Sequence, residues 1–168
     1  MKVVLFCGGR GTRLNEETEK IPKPLIKLAD GNPLIWHIMS LYSHYGFNDF
    51  VLCLGYKKNL FPEHLEKYSQ FNITFLDTGL NSGTAERLKR TSDFVTDTFF
   101  VTYGDGVSNI NISQLLNFHS NHGKIGTVSA VRPLVRFGKL ELDKDKVKNF
   151  RKYESPKDGW IDGGFFVF

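Results

Sequence analysis

The chain is short of cysteine, has no long apolar run and no long basic run, and each shortage removes a class of protein. Only two residues are cysteine, Cys7 and Cys53. A disulfide framework or a zinc site needs more cysteines at closer spacing, so both read as packing thiols in a reducing compartment. No apolar stretch reaches the roughly 20 residues that cross a bilayer as a helix. The first residues also lack the pattern of a secretory signal, so the chain is expected in the cytoplasm, with no membrane partner. Lys and Arg number 22 against 18 Asp and Glu, a net charge of +4. The basic residues are dispersed, which argues against nucleic acid as a partner. Internal repeats, linkers and low-complexity segments are missing too. What remains is 168 residues, 40% apolar and carrying 15 Phe, enough to bury a core as one domain spanning 1–168.

Strand and helix patterns alternate along that domain. Lys2 to Cys7 is a short β-branched apolar run and reads as a buried strand. Asn32 is expected to cap a helix with Pro33 at its first position, and Leu34, Ile38, Leu41 and Tyr45 recur at helical spacing before Gly46. Further strands are expected at Asp49 to Leu54, Asn72 to Leu76, Thr98 to Thr102 and Ile125 to Val131. Helices are expected around Leu60 to Tyr68, Gly83 to Val95 and Ile112 to His122, and strands dominate the last third. This order predicts an α/β fold with a parallel or mixed sheet covered by helices. His119 and His122 lie three apart on a helix but have no evident third ligand, so a solvated helix face is expected there.

The first strand runs into Gly8-Gly9-Arg10-Gly11-Thr12-Arg13-Leu14, with Pro22-Lys23-Pro24 soon after. Three glycines clear side chains from the turn, so backbone N–H groups can approach an anion. Arg13 and Lys23 add positive charge. The string is neither a Walker loop, which needs Gly-Lys-Ser/Thr, nor the dinucleotide fingerprint, whose spacing is absent. A strand end, a bare loop and two cations suggest a nucleoside triphosphate site. Asp105, between Gly104 and Gly106, follows another strand. If the two strands are parallel, loop and carboxylate share one sheet edge, where ligands of open α/β sheets bind. A carboxylate facing phosphates calls for a cation between them, and Mg²⁺ suits one or two carboxylates plus phosphate oxygens. A plain turn aspartate is the alternative.

The glycine string with Pro22-Lys23-Pro24 resembles the signature of the sugar-1-phosphate nucleotidyltransferases. Trp36-His37-Ile38-Met39, Tyr42 to Phe50, Leu54-Gly55-Tyr56-Lys57, Asp77-Thr78-Gly79, Arg87-Leu88-Lys89-Arg90, Tyr103-Gly104-Asp105-Gly106, Arg136-Phe137-Gly138 and Gly163-Gly164-Phe165-Phe166 resemble its glucose-1-phosphate cytidylyltransferase branch. The resemblance implies a three-layer, Rossmann-like nucleotide-diphospho-sugar transferase fold. Its sheet would be mixed and mostly parallel with helices on both faces, incomplete at the C-terminus. It also implies nucleotidyl transfer from a nucleoside triphosphate, CTP in that branch, to a sugar 1-phosphate such as glucose 1-phosphate, for cell-surface polysaccharide synthesis. By that resemblance Gly8, Gly9, Gly11, Thr12, Arg13, Lys23, Thr84, Arg87 and Asp105 bind the nucleotide. Arg13, Lys23 and Asp105 are catalytic, and Asp105 holds Mg²⁺. Glu154, Lys157, Asp162 and Gly163 bind the sugar phosphate. For Arg87 the alternative is an exposed cation on a helix with Lys89 and Arg90.

This chain departs from the family at several places. Ala85-Glu86 stands where the family has Gly-Gly, so a carboxylate there must point away from a triphosphate. Ser155 replaces a lysine and Asp162 an asparagine, both at sugar-contacting positions. The chain stops on Phe165-Phe166-Val167-Phe168, while family members continue and carry a second magnesium-binding aspartate. The expectation is a sticky apolar edge that a second copy or further chain would cover, and slow turnover by residues 1–168 alone. Three functions stay open: a cytidylyltransferase, a nucleotidyltransferase for another base or sugar, and a non-catalytic nucleotide-binding module.

Overall fold

The computed structural model of the chain describes residues 1–11, 20–132, 138–151 and 159–168. β1 (Lys2–Phe6) sits in the middle of a six-stranded sheet. Its β-branched run places Val3 and Leu5 on one face and Val4 on the other, all with no exposed surface, as a strand buried on both sides requires. β2 (Asp49–Leu54) pairs with it in parallel, and β3 (Asn72–Asp77) pairs in parallel with β2. The chain then crosses back, and β4 (Phe100–Tyr103) joins β1 in parallel from the other side. The order is β3-β2-β1-β4-β8-β5, with β5 (Thr127–Val131) at the edge and β8 (Ile161–Val167) antiparallel to both neighbours. β6 (Lys139–Asp143) and β7 (Lys146–Arg151) form a separate hairpin.

Helices cover both faces, giving the three layers that the resemblance implied. α1 (Leu34–His44), α2 (Leu60–Leu65) and α4 (Ile112–His122) share a core with Val3, Leu5, Phe50, Leu52 and Phe100. α1 alone buries Ile35, Ile38, Met39 and Tyr42. Full burial of one such side chain contributes about 1.5–3 kcal/mol, so this face anchors the helix to the sheet. The Tyr42 and Thr102 hydroxyls are hydrogen-bonded inside it. On the opposite face Val4, Val51, Cys53 and Val101 pack against Leu88 of α3 (Thr84–Lys89) and against Phe94 and Val95. Cys7 and Cys53 are free thiols, both buried.

Several expectations need correction. Asn32 does not cap α1. Its amide bonds Asp30 and its side-chain oxygen accepts from the Tyr68 hydroxyl at 3.1 Å, which leaves Pro33 as the capping residue. α3 ends at Lys89 rather than Val95, because the Thr91 hydroxyl takes the Leu88 carbonyl at 2.7 Å and the chain turns there. The final strand is no exposed edge. β8 lies between β4 and β5, with Phe165 and Val167 buried and Phe168 bonded through its backbone to Phe99. Exposed apolar side chains lie instead on β5, at Val128 and Val131, and at Trp160 and Ile161, where β8 begins. His119 and His122 are half-buried and both reach the Thr127 hydroxyl, at 3.0 and 2.6 Å, tying α4 to β5. Among the described residues no helix is long and apolar enough to cross a membrane.

Candidate functional site

Four parallel strands end on one edge of the sheet, and the order in which strands are added reverses at β1, with β2 and β3 on one side and β4 on the other. That reversal leaves a crevice where the loops after the two strands diverge, the general location of ligand sites in open α/β sheets. A cleft of about 460 Å³ lies there, lined by Gly8 to Gly11, Lys23 and Pro24, Leu80 to Thr84, Arg87, Tyr103 and Asp105. The expectation that the glycine loop and Asp105 share one edge is met, because β1 and β4 are parallel.

Backbone bonds carry the sheet pattern past the strand ends and fix the loops. Cys7 donates to the Cys53 carbonyl at 3.0 Å and Tyr56 to the Gly8 carbonyl at 3.2 Å. Gly104 donates to the Phe6 carbonyl at 3.0 Å. A side chain at 104 would meet the Cys7 sulfur at 2.7 Å and Pro24 at 3.2 Å. Only glycine lets the end of β4 press this closely on the first loop. That approach brings Asp105 to Lys23, which sits on a short 3₁₀ turn, Lys23–Leu25, begun by Pro22. Lys23 Nζ donates to Asp105 Oδ2 at 2.7 Å, and each side chain is about one third exposed. Asp105 is the one carboxylate on the described lining and faces three cations, Arg10, Lys23 and Arg87. The cleft is thus suited to a polyanion.

Arg87 is 5% exposed, not a surface cation of the helix. Its guanidinium donates to the Leu54 carbonyl at 3.0 Å, the Thr78 hydroxyl at 2.6 Å and the Gly8 carbonyl at 3.2 Å. Glu86, next to it, bonds Arg90 at 2.6 Å and is not on the lining. This pairing lowers the Glu86 carboxyl below the usual range and answers the sequence's requirement that it turn away from a triphosphate.

Asp162 reaches the site through Tyr103. The Tyr103 hydroxyl donates to Asp162 Oδ2 at 3.1 Å, and Gly164 N donates to Oδ1 at 2.6 Å. Burial raises the Tyr103 phenol, and the Asp162 and Asp105 carboxylates add to the rise. Gly163 packs against Ser129 of β5 and is not on the lining. Thr12, Arg13, Glu154, Ser155 and Lys157 lie outside the described residues. Among the described residues no three His, Cys, Asp or Glu converge as a ready-made cation site. Several lining residues were not picked from sequence, among them Arg10, Tyr103 and the stretch Leu80 to Gly83. Arg10 lies between Gly9 and Gly11, and Tyr103 lies two residues before Asp105 in a motif already singled out, so adjacency was the available signal for these two.

A protein-family model described as nucleotidyl transferase matches residues 2–168. Glucose-1-phosphate cytidylyltransferase of Salmonella typhi is 38% identical, over 99% of this chain and 74% of its own length. Mannose-1-phosphate guanyltransferase of Saccharomyces cerevisiae is 34% identical, over 79% of this chain and 38% of its own. Among solved structures, HddC from Yersinia pseudotuberculosis, complexed with GMP-PN, superposes with a TM-score of 0.72 at 25% identity. That match covers 99% of this chain and 75% of HddC.

Proposed function

Because the chain belongs to the nucleotidyl transferase family, we propose that it transfers the cytidylyl group of CTP to glucose 1-phosphate. The products are pyrophosphate and a CDP-sugar, made in the cytoplasm for cell-surface polysaccharide. The observation that carries this reading is the cleft itself: a bare glycine loop faces Asp105 across the carboxyl ends of β1 and β4, with three cations on the lining. Cytidine is favoured because the likeness to the Salmonella cytidylyltransferase spans nearly the whole chain, whereas that to the yeast guanyltransferase is lower and covers less.

In the proposed reaction a phosphate oxygen of the sugar 1-phosphate attacks the α-phosphorus. The bond from that phosphorus to the bridging oxygen breaks, and pyrophosphate leaves with the developing charge. Catalysis of this kind is mostly alignment and charge stabilisation. Gly8, Gly9, Gly11, Thr12 and Thr84 hold the triphosphate. Arg13 attends the leaving pyrophosphate, and Lys23 bridges the nucleotide and sugar phosphates. Arg87 acts on the same triphosphate, in the way argued below. Glu154, Lys157, Asp162 and Gly163 take the sugar phosphate. Asp105 fits a Mg²⁺ ion, since its carboxylate lines the cleft, is about one third exposed and, among the described residues, is paired with the Lys23 ammonium. Mg²⁺ ordinarily takes one or two carboxylates and completes its shell with phosphate oxygens. When bound it would neutralise phosphate charge, and the Lys23 ammonium beside Asp105 would add its own positive charge for the substrates' phosphates.

The test is pyrophosphate release from each nucleoside triphosphate with glucose 1-phosphate and Mg²⁺. CTP should give the highest kcat/KM. A purine triphosphate preferred over CTP would overturn the base assignment, and release with mannose 1-phosphate alone would overturn the sugar.

A further inference from the structure

We propose that Arg87 is a positioning residue that sets the glycine loop by tying the ends of three parallel strands together, rather than a group that grips the triphosphate itself. The guanidinium lies where β1, β2 and β3 run out. Each of its three acceptors belongs to a different strand end: the Gly8 carbonyl after β1, the Leu54 carbonyl closing β2, and the Thr78 hydroxyl after β3. Thr78 is fully buried and also donates to the Leu54 carbonyl at 2.7 Å, so the junction is closed on itself. The planar fork of arginine can serve acceptors in several fixed directions at once, which a lysine ammonium on a flexible stem does less well.

Two glycines exist to admit this clamp. A side chain on Gly8 would land on the guanidinium. One on Gly55 would meet the Gly79 carbonyl at 2.8 Å, the Gly8 carbonyl at 2.9 Å and Arg87 Nη1 at 3.0 Å. Gly9, by contrast, has nothing within 4 Å of where its side chain would be. The loop therefore has a tightly packed underside and an open upper side. With the Gly8 carbonyl held from below by Arg87 and Tyr56 N, the next peptide units are aimed into the cleft. Among the described residues the acceptors of Arg87 are all neutral, so none of them cancels the charge it places beneath the loop.

The proposal rests on the nucleotide reading given above, and the test separates the two. Arg87→Lys and Thr78→Val are compared with the parent protein. Thr78 is not on the cleft lining, so a direct phosphate grip by Arg87 predicts no effect of its substitution. The clamp predicts that both variants weaken CTP binding with Mg²⁺ about tenfold by calorimetry, while cytidine without phosphates binds as before. Without any ligand, the backbone order parameters of Gly9 and Gly11 should fall from the rigid range, about 0.85, towards the flexible range below about 0.6. Full CTP affinity in Thr78→Val beside a loss in Arg87→Lys would overturn the clamp in favour of direct contact, and so would unchanged order parameters in both. If the parent binds no nucleoside triphosphate, the nucleotide reading fails, and the ligand-free order parameters still decide the clamp.

Discussion

Lys23 Nζ lies 2.7 Å from Asp105 Oδ2, and this contact joins the Pro-Lys-Pro turn to the end of β4 across the mouth of the cleft. A pair this exposed contributes on the order of 0–1 kcal/mol to stability. Its importance lies in what each partner can do when a polyphosphate arrives. Asp105→Asn should leave the melting temperature nearly unchanged, because asparagine also suits a turn. Magnesium-dependent CTP binding should fall at least tenfold. Calorimetry with and without Mg²⁺ measures this, and unchanged magnesium dependence in the folded variant would remove Asp105 from the site.

Gly55 and Gly9 should respond oppositely to alanine. At 55 the new methyl would press on two backbone carbonyls, and overpacking of this kind destabilises by about 1–3 kcal/mol. At 9 the methyl enters open space, so denaturant unfolding of Gly9→Ala should match the parent. The same methyl would stand over the loop, and CTP affinity should drop. A Gly9→Ala protein that is fully stable and binds CTP normally would show that the phosphates do not lie over this residue.

Alkaline pH should unfold the protein through its thiols. Burial pushes the Cys53 thiol from an ordinary 9.0 up to about 12, against a smaller lowering by Arg87. Burial also raises the Cys7 thiol, and the Cys53 and Asp105 charges add to it. A group whose folded value is raised stabilises fully below its unfolded value and loses that contribution as pH climbs to the folded one. Stability should hold up to about pH 9 and then decline towards pH 12. Guanidinium titrations across that range, in the parent and in Cys53→Ala, test it, since the variant should decline less. Ellman's reagent at pH 8 should label neither cysteine until the protein unfolds.

Much of the sheet could be read from residue order, because short β-branched runs and helical spacing are local signals. The strand at Asp49–Leu54 and the helix at Ile112–His122 came out with the boundaries expected. The expectations that failed depended on distant partners. Asn32 looked like a cap, yet Asp30 and Tyr68 take its side chain. The aromatic run at the end of the chain looked like an open edge because no spacing rule says which strands will flank it. Arg87 stood in a basic string on a helix, where solvent exposure is the ordinary outcome. Its burial follows from carbonyls 33 and 79 positions away. The glycine loop and Asp105 were legible because each adjoins a recognisable strand end.

β8 has a bearing on how the protein is made. It is inserted between β4 and β5, with Thr102 paired to Phe165 and Thr127 to Val167. As the polypeptide leaves the ribosome, β1 to β4 can assemble as they appear, but β5 has no strand beside it until residues near 167 emerge. During that interval the outer edge of β4 and the whole of β5 present unpaired backbone, the condition under which nascent chains pair with one another. Refolding should accordingly show an early phase that protects amides of β1 to β3 and a later one that protects β4, β5 and β8 together. Yields should depend on protein concentration during the gap between them.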